Sequence, residues 1–193
     1  PSAQSLEEAL VSRIRSDGPI GVDDYMAACL GTTGSGHYQS RDPFGSAGDF
    51  ITAPEVSGLF GEMCGLYLAH MFELSSMPSD ATVIELGPGR GTLLRDMRHV
   101  WDQLMPPLAS APVRMLETSP TLRDEQADCL AGVADIAWHD DISPLLEDAA
   151  GPVFGIANEF FDALPVAQLV WQSGSWHRRH VGIEDGRLRY TTA

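Results

Sequence analysis

Residues 83–94 read Val83-Ile-Glu85-Leu-Gly87-Pro-Gly89-Arg-Gly91-Thr-Leu-Leu, a buried strand that turns through three glycines spaced by two and enters an amphipathic helix. The neighbouring sequence keeps to the same grammar, with strands expected over 81–86, 113–117, 136–139 and 153–158 and helices over 91–104 and 120–130. Strands that alternate with helices pair in parallel, because each parallel crossover needs a helix to return the chain. From 166 onward the pattern changes to 168–172, 176–183 and 187–191, separated by turns at Gly174 and Asp185-Gly186, which spells a β-meander. Ahead of the sheet, 5–15 and 22–30 read as short amphipathic helices, the first ended by Gly18-Pro19. A further helix is expected from Pro54-Glu55 to about Glu73; it is apolar nearly all round and so expected to be buried. Its small residues Gly58, Gly61, Gly65 and Ala69 form one face, expected to pack tightly against a sheet. The expected division is a helical N-terminal extension over 1–74 and an α/β core over 75–193.

Composition narrows the function classes. With 193 residues, 44% hydrophobic and 20% charged, the chain has the make-up of a globular domain with a core of its own. Acidic side chains number 27 against 12 basic ones, and the net charge of -15 repels phosphate backbones and anionic lipid, so nucleic acid is not an expected partner. All basic residues are arginine, which excludes Schiff-base lysine chemistry and a P-loop lysine. No apolar run approaches the ~18 residues of a membrane span, and the first residues carry no secretory signal. Cys29, Cys64 and Cys129 lie far apart, as suits a reducing compartment, and a cytoplasmic protein is expected. No metal site is expected: His177 and His180 point to opposite faces of a strand, and Arg178 and Arg179 between them repel a cation.

Glycines at a strand-to-helix turn let a ligand approach the backbone, and the helix start offers free N–H groups. The dinucleotide fingerprint needs Gly or Ala where this chain has Thr92, so NAD fits poorly. Gly87, Gly89 and Gly91 behind the acidic Glu85 resemble instead the first motif of S-adenosylmethionine-dependent methyltransferases. Glu117 closes the next strand, where a carboxylate accepts both ribose hydroxyls of an adenosine. At the third strand end, where the resemblance to these methyltransferases implies an acidic or polar residue against the adenine amino group, stand Asp140 and Asp141, either of which is a candidate; an acidic pair opening a turn is the alternative. The fourth strand delivers Asn158-Glu-Phe-Phe-Asp-Ala-Leu-Pro165, whose Asn158, Glu159 and Asp162 are the catalytic candidates. Helix capping is the competing role for Asn158.

The run Gly48-Asp-Phe-Ile-Thr-Ala-Pro-Glu55, with Gly36-His-Tyr38, Asp42-Pro-Phe44, Phe60-Gly-Glu62, Glu85 to Gly91 and Asn158 to Pro165, resembles the N-terminal half of the MidA family from about residue 20 onward. The resemblance implies a class I, Rossmann-like S-adenosylmethionine-dependent methyltransferase that methylates protein arginine. In mitochondrial members it implies a link to respiratory complex assembly, and hence a respiratory complex subunit as partner. Family chains are longer, so the fold is expected to be truncated within the meander. The loop over 31–54, with five glycines and apolar Tyr38, Phe50 and Ile51, is expected to close over the cofactor. A non-catalytic assembly or binding protein that keeps the fold is the alternative. A nucleotide-linked oxidoreductase is a second.

Overall fold

The computed structural model describes residues 5–31 and 53–192. The loop over 31–54 therefore lies, apart from its ends, outside the described residues, as do the motifs 36–38 and 42–44. The chain divides into two compact units, Pro1–Asp42 with Asp162–Ala193, and Pro43–Phe161. The division expected at 74/75 falls inside the second of these units.

In the first unit, α1 (Leu6–Asp17) is opened by a capping box in which the Ser5 hydroxyl accepts from the Glu8 N–H and the Glu8 carboxylate accepts from the Ser5 N–H. Gly18, at φ 89°, ends it. A two-residue strand β1 (Ile20–Gly21) leads into α2 (Val22–Gly31). The meander forms this unit's sheet, and its central strand pairs antiparallel with β1 through Ile20↔Val181, a pairing that patterns along the chain do not show. Leu10, Ile14, Ile20, Val22 and Val181 form the core beneath.

The second unit opens on two helices in place of the one expected. Instead of one helix from residue 54, a short α3 (Ala53–Val56) is followed by α4 (Gly58–Leu74), because Ser57 takes an extended conformation and caps the second helix by accepting from the Leu59 N–H. Nor is α4 buried all round: Gly61, Gly65, Leu68, Ala69 and Phe72 are buried, while Leu59, Met63, Tyr67 and Leu74 are exposed. The chain then alternates β2 (Thr82–Leu86), α5 (Thr92–Leu104), the short α6 (Pro106–Ala109), β3 (Val113–Leu116), α7 (Pro120–Cys129), β4 (Ile136–His139), α8 (Ile142–Asp148) and β5 (Val153–Ile156). The helices α6 and α8 are additions to the expected pattern. In the first unit the meander strands follow as β6 (Leu169–Gln172), β7 (Ser175–Glu184) and β8 (Arg187–Thr192).

The four strands β4-β3-β2-β5 form one parallel sheet in that order, as the alternation predicts. Small residues of α4 face α5, not a sheet: a Cβ added at Gly65 would stand 2.9 Å from the Met97 Cα, and one at Gly61 2.6 Å from the Asp96 Cβ. The two helix backbones approach so closely because neither glycine has a side chain to separate them. Trp101 of α5 is fully buried and its indole N–H donates to the Gly65 carbonyl at 2.8 Å. Phe72, Leu94, Met97 and Met115 complete the core, each buried apolar side chain contributing roughly 1.5–3 kcal/mol.

Candidate functional site

Parallel register places the candidate residues at one sheet edge. Leu86, Leu116 and His139 are aligned neighbours, and Glu85 pairs with Ile156, so the chain leaves all four strands at the same end. Gly87, Glu117, Asp140 and Ala157-Asn158 are the first residues beyond. Carboxyl ends of parallel strands are where open α/β sheets bind ligands.

All three glycines of the turn have positive φ, 65° at Gly87, 56° at Gly89 and 80° at Gly91, a backbone that side chains strain. At Gly87 a Cβ would also meet the Phe160 ring at 2.6 Å. Gly91 is the N-cap of α5 and supplies no side-chain hydrogen bond to its first turn. Beside it the Thr92 hydroxyl donates to Glu55 at 3.1 Å.

Glu85 is 2% exposed on β2, and its Oε2 has no hydrogen-bond partner among the described residues. Burial pushes its carboxyl up to about 8. Glu117 is better provided: Oε1 accepts from the Ser119 N–H at 2.8 Å and Oε2 faces the Gln126 amide at 3.4 Å. Burial raises its pKa, with these hydrogen bonds and Arg123 acting in the opposite direction. Arg123 donates to the Glu117 carbonyl through Nε at 2.8 Å and pairs with the exposed Asp140 at 2.6 Å.

Asp141 is the N-cap of α8, accepting from the Ser143 N–H at 2.8 Å. Asn158 is half-buried and precedes no α-helix; a 3-10 turn, Phe161–Ala163, follows instead. Glu159 is exposed at φ 48°. Asp162 is exposed and falls in the other unit from Asn158 and Glu159. No group of His, Cys, Asp and Glu among the described residues is arranged to hold a metal ion.

Four residues at this edge are not foreseen from the sequence. Gln126 is fully buried on α7, Trp138 donates to it from β4, Phe160 covers Gly87, and Arg123 joins Glu117 to Asp140. Only Gln126 leaves a trace in the sequence, as the one polar member of the four-residue repeat Leu122, Gln126, Leu130, all three buried.

The strand ends thus combine a parallel sheet, a glycine turn behind a buried acid, and a second acid one strand over. The Methyltransf_28 family, described as S-adenosyl-L-methionine-dependent methyltransferases, matches residues 63–193. The chain belongs to this family. It is 34% identical to the Xenopus tropicalis protein arginine methyltransferase NDUFAF7, mitochondrial, over 98% of this chain and 49% of that protein. The Drosophila melanogaster homolog is 36% identical over 96% and 48%, and the human protein 33% over 95% and 47%. The chain thus spans about half the length of the curated relatives it matches. Among solved structures, a Burkholderia thailandensis protein bound to S-adenosyl-homocysteine superposes with a TM-score of 0.75 at 27% identity, covering 97% of this chain and 49% of that one. The fold is Rossmann-like, of the methyltransferase kind, and the resemblance read from the sequence is borne out.

Proposed function

We propose that this chain carries the S-adenosylmethionine site of a protein arginine methyltransferase. The observation that supports the cofactor is the buried, unpartnered Oε2 of Glu85 directly ahead of three left-handed glycines and a helix that starts without a side-chain cap. A buried polar atom without a partner calls for a donor, and a Cβ at any of the three glycines would strain the turn. Glu85, the turn Gly87–Gly91 and Glu117 hold the cofactor. Asp140, the first residue beyond β4 and ion-paired with Arg123, is the candidate for the adenine, while Asp141 caps α8. When bound, S-adenosylmethionine supplies an electrophilic methyl group.

The chain's own work is then alignment and the handling of charge at the acceptor. A guanidinium stays protonated near neutral pH and is a poor nucleophile until positive charge is drawn from the attacking nitrogen. Glu159, exposed just beyond the strand end, orients such a group through paired hydrogen bonds, with Asn158 beside it and Asp162 in reserve. The protein acceptor follows from the names of the relatives, and a respiratory complex subunit follows from the resemblance. A cytoplasmic setting, read from the cysteines, belongs to the same proposal.

The deciding experiment transfers radiolabelled methyl to extract proteins with a form as long as the relatives. Label on arginine is expected, and Glu159→Gln should keep cofactor affinity while losing most transfer. Binding of S-adenosylmethionine without any transfer would favour the non-catalytic assembly protein instead.

A further inference from the structure

Gln126 is 0% exposed on α7, and chemistry allows its amide one orientation. An indole N–H can only donate and a backbone carbonyl only accept. The amide oxygen therefore faces Trp138 Nε1 at 2.7 Å, and the amide nitrogen faces the Gly89 carbonyl at 2.6 Å. The same nitrogen lies 3.4 Å from Glu117 Oε2. One side chain thus ties together the glycine turn, the carboxylate beyond β3 and the strand β4. A leucine would fill this place between Leu122 and Leu130 without desolvating an amide, so packing does not account for the residue type.

Resting on the reading that this site binds S-adenosylmethionine, we infer that Gln126 is a positioning residue that fixes the Gly87–Gly91 turn and the Glu117 carboxylate relative to each other, so that both meet one ligand. It touches no ligand itself. Its effect passes through Gly89 and Glu117, and Trp138 holds the amide against rotation.

The test is calorimetry with S-adenosylhomocysteine on the whole chain, its Gln126→Met and Glu117→Gln variants, and the double variant. Methionine keeps the length of the side chain and removes its polar atoms. Gln126→Met is expected to weaken binding about tenfold, the loss of one hydrogen bond to a charged or well-aligned partner. In the Glu117→Gln background the same change should cost clearly less, because part of the effect of Gln126 runs through Glu117. Should Gln126→Met lose its native circular dichroism, Trp138→Phe carries the same cycle, since it removes the indole N–H that holds the Gln126 amide and leaves the carboxylate and the glycine turn untouched. Unchanged affinity, or an equal loss in both backgrounds, overturns the positioning role and leaves the cofactor reading standing. Absence of binding by the parent chain overturns both.

Discussion

A buried carboxylate, Glu85, and a half-buried one, Glu117, have opposite surroundings at one sheet edge, and that difference sets what each contributes. Glu117 accepts from Ser119 and faces Gln126, so it is held in place as an acceptor with lone pairs to spare. Its replacement in Glu117→Ala should weaken S-adenosylhomocysteine binding by about 1.5–3 kcal/mol for each charged hydrogen bond lost, read by calorimetry on a variant of native circular dichroism. Unchanged affinity would remove Glu117 from the site. Glu85 lacks such partners and is held up to about 8 by burial, against 4.5 for an ordinary glutamate. The folded chain therefore keeps a proton that the unfolded chain releases above pH 4.5. This raised value contributes stability that is fully present below about pH 4.5 and is lost as pH rises to about 8. Glu85→Gln cannot titrate, so urea unfolding should show the variant gaining on the parent across that window, by on the order of a few kcal/mol at its upper end. A constant difference between the two proteins from end to end would place a hydrogen-bond donor on Glu85.

Helix α4 shows how an element's composition and its neighbour must agree. Gly61 and Gly65 cost the helix intrinsic stability, yet they let α5 come within reach, and the Gly65 carbonyl receives the Trp101 indole N–H. On propensity alone Gly65→Ala should stabilise by about 1 kcal/mol. The added Cβ would lie 2.9 Å from the backbone of Met97, which cannot move aside as a flexible side chain would. Sterics should win, with a net loss of about 1–3 kcal/mol. A lower urea midpoint is the expected result, and an equal or higher one would mean that the helices separate at little cost. Facing the other way, α4 leaves Met63 and Tyr67 beside a cavity of about 310 Å³ shared with Gly155 and Ile156 of β5. Its all-round apolar sequence is thus half core and half exposed wall.

At the scale of the whole molecule, the net charge of -15 acts on any approaching partner. Under the proposed function a field of this sign gathers cationic peptide, so KM for an arginine-rich peptide should rise as salt is added, with kcat nearly constant. A KM indifferent to salt would confine recognition to short-range contacts. Legible in the order of amino acids is whatever depends on neighbours along the chain. The strand and helix periods and the glycine turn are local chemistry, and β2, β3, β4 and β5 lie within a few residues of their expected bounds. The succession of strands likewise dictates that Gly87, Glu117, Asp140 and Asn158 share one edge, because parallel strands end together. Contacts between distant residues are a different matter. Gln126 and Gly89 are 37 positions apart, Trp138 and Gln126 are 12, and β1 finds β7 across most of the chain. An apolar or small-residue face says that something packs on it but not what, so α4 meets a helix where a sheet is expected. A buried glutamine in a leucine repeat declares a hydrogen bond without naming the acceptor, and only the folded chain, by bringing the carbonyl of Gly89 and the indole of Trp138 to either side of it, supplies the partners.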